Sequence, residues 1–234
     1  MSRKSETPAP AVTEIAFILD RSGSMDHLVE AAISGFNQFL RDQQEGDAET
    51  EGIARLTLVQ FDDQYEVPID NLPVSEVVSL DTTTYVPRGC TALLDAIGTT
   101  IDRFRRRIKD TEKKHQPDKV IFAIFTDGLE NASTRYGWMD IARMIRRRRE
   151  KDGWEFLFLA ANQDAIATAA QMNIHARDSA TAQFSDQGIE SSSRAFSRKI
   201  RAMRSSLNAS SEAPVHEDLT KPMDEILSEE EERD

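Results

Sequence analysis

Residues 15–24, IAFILDRSGS, are an apolar run that breaks off in an aspartate followed by serines at alternate positions. Ile15, Ala16, Phe17, Ile18 and Leu19 form a short uninterrupted segment, and the Asp-Arg-Ser-Gly punctuation behind it favours a buried central strand over a piece of helix. Asp20 marks where that strand leaves the core. In extended backbone alternate side chains share a face, so Asp20, Ser22 and Ser24 can aim one carboxylate and two hydroxyls at one point, with Gly23 permitting the turn. Hard oxygen groups converging at a strand end suit a divalent cation.

Two later segments share this character: Gly89-Cys90-Thr91-Ala92-Leu93-Leu94-Asp95-Ala96, and an apolar strand that ends in Thr126-Asp127-Gly128. Each segment alone reads equally well as a strand end, a helix cap or a turn. Taken in this order, with Asp20-Arg21-Ser22-Gly23-Ser24-Met25 as the DxSxS element, the three resemble von Willebrand factor type A (vWA) domains over roughly residues 12–206. The resemblance implies a metal-ion-dependent adhesion site. In it Ser22 and Ser24 bind the metal directly, Thr91 directly or through water, and Asp20 and Asp127 mostly through bound waters. It further implies Mg²⁺ or Mn²⁺ as the ion and a protein partner whose Asp or Glu completes the shell. Cys90 stands where many members have a second glycine, which stiffens the loop slightly; a small buried residue is the plainer reading.

Outward from the motif, residues 1–11 read as a flexible arm. Asp26 is placed to cap a helix over 27–41, whose Val29, Ile33, Phe36 and Leu40 form one apolar stripe. A polar loop over 46–52 precedes strands at 54–61 and 65–69, paired antiparallel through a short turn as a sheet edge. Residues 73–80 hold a short helix or turn, and 81–89 a Thr-rich loop. Helix 92–109 repeats Leu94, Ile97, Ile101, Phe104 and Ile108 at three and four. Strands at 120–126 and 154–160, helices at 138–150 and 165–172, a weak edge strand at 180–184 and a last helix at 186–204 complete the body. The alternation predicts an α/β fold, doubly wound, with a mostly parallel central sheet, one antiparallel edge strand and helices on both faces. Ligands of such sheets bind beyond the carboxyl ends of the strands at a topological switch point, an edge that Asp20, Thr91 and Asp127 can all reach. Expected rim segments are Asp62-Asp63, 82–88, 129–138 and 162–164.

The net charge of −12 argues against general nucleic-acid binding and is unevenly placed. Residues 207–234 hold ten acids against Lys221 and Arg233, a net −8 that predicts an acidic, disordered tail beyond the vWA domain of 12–206. Two arginine clusters, Arg103 to Lys109 and Arg143 to Arg149, read first as solvated helix faces, or else as seats for nucleic acid or for the tail folding back. A polar start, no apolar run near the roughly 20 residues that span a bilayer, and a single cysteine lead us to expect a cytoplasmic chain without membrane contact.

An enzyme is not expected. Metal hydrolases bring histidine or direct carboxylate ligands and a separate base, whereas His27, His115, His175 and His216 are scattered. A haloacid-dehalogenase-type phosphotransferase would need a second aspartate where Ser22 stands, and no Gly-rich phosphate loop follows a strand. The function expected is a metal-dependent adaptor. The alternatives are a structural or regulatory subunit, self-associating or working with an AAA+ ATPase, whose metal orders loops, and a nucleic-acid-associated factor that uses the arginine helices.

Overall fold

The computed structural model describes residues 10–48, 52–161, 165–208 and 215–233. Its strands are β1 (Val12–Asp20), β2 (Ile53–Phe61), β3 (Tyr65–Pro73), β4 (Lys119–Thr126), β5 (Glu155–Ala161) and β6 (Ser179–Ala182). They form one sheet in the order β3-β2-β1-β4-β5-β6, parallel except for the β2/β3 pair. The uninterrupted apolar runs occupy its middle because both of their faces are covered. Along β1, Ile15, Phe17 and Leu19 enter one core layer while Ala16 and Ile18 enter the other; along β4, Ile121, Ala123 and Phe125 alternate likewise with Val120, Phe122 and Ile124.

The helices are α1 (Val29–Ala48), α2 (Leu93–Asp110), α3 (Trp138–Asp152), α4 (Ala165–Gln171), α5 (Asp186–Asn208), α6 (Glu217–Thr220) and α7 (Met223–Glu231). Residues of α1, α5 and α7 join the layer of Phe17; those of α2, α3 and α4 join the layer of Ile18. The chain runs from β1 to β2 on one side, and β4 returns to the other side of β1. The switch point therefore lies between the carboxyl ends of β1 and β4, beside Asp20 and Asp127.

Several expected boundaries move. A 3₁₀ turn over Gly23–Leu28 precedes α1, so Asp26 lies inside that turn and Ser22 is its cap. α1 continues through Gly46 where a loop was expected. Tertiary contacts hold the extra turns: the Gln44 amide donates to the Val74 carbonyl (2.8 Å), and the buried Arg204 guanidinium donates to Gln43 O and Oε1 (3.1 and 2.9 Å). β3 runs on to Pro73 past register shifts, with Asn71 at φ 54°.

The larger correction concerns the tail. Residues 217–231, expected to be disordered, form α6 and α7 packed on α5. Its overall composition hides a stripe: Leu219, Met223, Ile226 and Leu227 recur at helical spacing, and the last three are buried. The acids pair with α5 rather than with the arginines of α2 and α3. Arg198 donates to Asp218 (2.7 Å), Glu229 (2.7 Å) and Glu230 (2.8 Å). The buried Lys199 ammonium donates to the carbonyls of Asp218, Leu219 and Lys221 (3.0, 3.1 and 2.6 Å). Residues 1–9 of the arm, 162–164 of the expected rim and 209–214 of the tail lie outside the described residues. Among the described residues, no helix is long and apolar enough to cross a membrane.

Candidate metal centre

Asp20 is wholly buried at the end of β1, and both of its oxygens are engaged. Oδ1 accepts the Ser22 N–H (2.7 Å) and Oδ2 the Thr126 hydroxyl (2.5 Å), which ties β1 to β4 across the switch point. The Ser22 and Ser24 hydroxyl oxygens lie 3.1 Å apart, and Ser24 Oγ donates to Asp127 Oδ1 (2.9 Å). Thr91 arrives from the segment before α2. A methyl placed on Gly128 would stand 2.8 Å from Thr91 Oγ1 and 3.6 Å from Ser24 Oγ, so both hydroxyls converge beside that glycine. The structure thus gathers all five expected residues, Asp20, Ser22, Ser24, Thr91 and Asp127, at one place. Ser24 and the neighbouring Gly89 and Cys90 are exposed and open it to solvent, which corrects the expectation of a buried cysteine, whereas Ser22 and Thr91 are buried.

The loops that carry these groups are fastened by bonds within the protein. Tyr85, fully buried, donates its hydroxyl to the Asp20 carbonyl (2.6 Å). Arg21 turns inward and donates to Asp62 (3.0 Å) and Glu66 (2.8 Å), and Arg88 bridges the same two acids. The Asp95 carboxylate accepts the N–H groups of Thr134, Arg135 and Tyr136, and Glu130 accepts those of Ala132, Ser133 and, at the start of α2, Leu94. Asp62, expected on the rim, is therefore a buried anchor. Thr126, Tyr85, Asp95 and Glu130 fall in segments quoted from the sequence but were given no role there. Thr126 could have been, as the polar residue that ends the apolar run of β4 just before Asp127; the other three carry no local signal.

The residues fit a divalent cation. All the converging donors are hard oxygens. Asp127 Oδ2 is buried with no hydrogen-bond partner, and neither Asp20 nor Asp127 forms an ion pair, among the described residues. Burial pushes the Asp20 carboxyl up to about 6 against the hydrogen bonds from Thr126 and Ser22, with the nearby Asp127 adding to the rise. Burial also raises Asp127. Two carboxylates withdrawn from water, with no lysine or arginine in an ion pair with them among the described residues and only the charge of His27 acting on Asp127 from nearby, are the electrostatic complement of a bound cation. Among the described residues no group of three or more His, Cys, Asp or Glu side chains is placed to hold a metal, so any ion here depends on hydroxyl ligands.

Gly128→Ala should weaken Mg²⁺ binding at least about ten-fold while leaving the fold intact, because the added methyl must displace the Thr91 hydroxyl. Calorimetric titration together with a circular dichroism melt checks this. An unchanged affinity would show that Thr91 is not a ligand.

No protein-family model matches the sequence, and no curated protein is significantly similar to it. Solved structures are similar in fold. A von Willebrand factor type A protein from Catenulispora acidiphila is 15% identical, with a TM-score of 0.55 over 84% of this chain and 44% of its own. The vWF domain of the type V pili tip protein Mfa5 from Porphyromonas gingivalis is 11% identical, with a TM-score of 0.57 over 89% of this chain and 99% of its own. The PilB minor pilin from Streptococcus sanguinis is 10% identical, with a TM-score of 0.59 over 88% and 65%. The chain spans less than half the length of the first of these.

Proposed function

We propose, from the premise that this chain has a vWA-type fold, that it is a metal-dependent adaptor: a non-enzymatic module that recruits a protein partner through the site at the β1/β4 switch point. Ser22, Ser24 and Thr91 would hold Mg²⁺ or Mn²⁺ by their hydroxyls, and Asp20 and Asp127 would hold its waters. When bound, the ion would offer an open coordination position to an Asp or Glu of the partner. The observation that carries this reading is the pair of buried carboxylates, without an ion pair among the described residues, under two serine hydroxyls at a solvent-open edge.

A second observation favours this over a site whose metal mainly orders loops. The surrounding loops already hold themselves through Asp62, Asp95 and Glu130. On this reading the metal would serve recognition more than shape. His27 packs its ring edge-on against Phe184 (4.8 Å between centroids) beside the site. The exposed Val86 and Leu129 flank the loops that bear the site and give a partner apolar surface around its carboxylate.

The test is capture from lysate on immobilised chain in Mg²⁺, with elution by EDTA. The expected result is a protein retained by the wild type, released by chelator and not retained by the Ser22→Ala, Ser24→Ala chain. Retention of the same proteins with and without chelator would overturn the reading.

A further inference from the structure

A cleft of about 520 Å³ opens at the other end of the sheet, between the last turns of α2 and α3 and the start of β4. Six cations line it: Arg105, Lys109, Lys119, Arg147, Arg148 and Lys151. The acids beside them, Asp118 and Asp152, are already engaged. Asp152 pairs with Arg148 (2.7 Å), and Asp118 accepts the Val12 N–H (2.8 Å). Lys119 faces Glu155 at 3.4 Å. Among the described residues Lys109, Arg147 and Lys151 form no ion pair, and Arg105 has Asp102 of its own helix at 3.5 Å. Ile108, Val120 and Trp154 give the cleft an apolar wall.

Helix C-termini attract cations, which explains part of this charge. Two helix ends carry together roughly one negative charge, fewer than the cations left without an ion pair. Crowding is visible in Arg148: burial lowers its affinity for a proton, and the like charges of Arg147 and Arg105 act in the same direction against Asp152. On a chain of net charge −12, this local concentration of positive charge favours an anion at the cleft.

We propose that this cleft binds a small polyphosphate, an anion with two or more linked phosphate groups of the inorganic triphosphate or nucleotide kind. Its volume suits a small molecule. Arginine forks and lysine ammonium groups are the side chains that recognise phosphate oxygens. A long nucleic acid could also reach the arginines that α2 and α3 carry outside the cleft, and is therefore an outcome of the test below. Eight residues of β4 separate the cleft from the switch point, about 25 Å at a strand's rise, so the ligand would act apart from the metal centre.

The experiment is calorimetric titration of the full chain with inorganic triphosphate at low salt in EDTA, which keeps the metal centre out of the measurement. The variants are Arg147→Glu with Lys151→Glu, and a control of equal charge change outside the cleft, Arg143→Glu with Arg146→Glu. All four side chains are exposed, so folding should survive. The wild type is expected to bind one triphosphate, the cleft variant to bind about a hundred-fold more weakly, and the control to stay within about two-fold. Absence of binding by the wild type, or equal losses in both variants, would overturn the proposal. So would tighter binding of a single-stranded oligonucleotide than of triphosphate, weakened alike by both variants, which would reassign the surface to nucleic acid.

Discussion

Mg²⁺ is expected to raise the melting temperature of the wild type, and Asp20→Asn to abolish that rise and to raise the melting temperature of the chelator-treated protein above pH 6. Both effects come from one buried carboxylate. In the metal-free chain burial raises Asp20 from 3.8 to about 6. Below the lower value the group is protonated in both the folded and the unfolded state and costs nothing. Between the two the folded state binds more protons, so stability falls as pH rises, and above about 6 the whole penalty is present, on the order of 3 kcal/mol.

Asparagine cannot ionise and keeps an acceptor for the Ser22 N–H. Its variant should therefore gain about 1–2 kcal/mol at pH 7–8 in EDTA, less than the full penalty because the bond from Thr126 must rearrange. With saturating Mg²⁺ the order reverses. At about a hundred times its dissociation constant a ligand adds about 2.7 kcal/mol, a rise of roughly 5–10 °C for a chain of this size. Thermal melts at pH 4 and pH 8, in Mg²⁺ and in EDTA, read all four conditions. A variant that Mg²⁺ stabilises as much as the wild type would remove Asp20 from the site.

Ile226→Ala combined with Leu227→Ala should destabilise the protein by roughly 3–5 kcal/mol, a fall of about 10 °C in melting temperature. Both side chains are buried against the layer that holds Phe17 and Phe196. Losing α7 also strips partners from the α5 cations. Arg198 would give up Glu229 and Glu230, and the buried Lys199, whose acceptors are carbonyls of 218–221, would face a loosened segment. A solubilising tail predicts no change in the melt at all. An unaltered melting temperature would therefore return residues 215–233 to the disordered reading.

The contrast between tail and motif shows what a sequence displays. The cores of β1, β4 and β5 were legible because a strand buried on both faces must be apolar at every position, and the break at Asp20 and Asp127 is abrupt. Helix α2 was legible from its period. The tail was not, because its charge conceals four apolar residues at helical spacing whose partners lie on α5, and composition says nothing about docking. The extension of α1 depends on Arg204, more than 150 positions away in sequence. The five candidate ligands were legible as a motif with its spacing. Asp62, Asp95 and Glu130, which hold their loops, were not, since an acid that accepts backbone N–H groups looks like any surface acid until the chain is folded.

The measurement that bears most directly on the site is titration of Mn²⁺ and Mg²⁺ into chelator-treated protein by calorimetry, wild type against the Ser22→Ala, Ser24→Ala chain. The account predicts one ion per wild-type chain and none in the variant, since on this account the hydroxyls would supply the direct ligands and the two carboxylates alone would not replace them. Equal binding by both chains, or no binding by the wild type at millimolar metal, would contradict it.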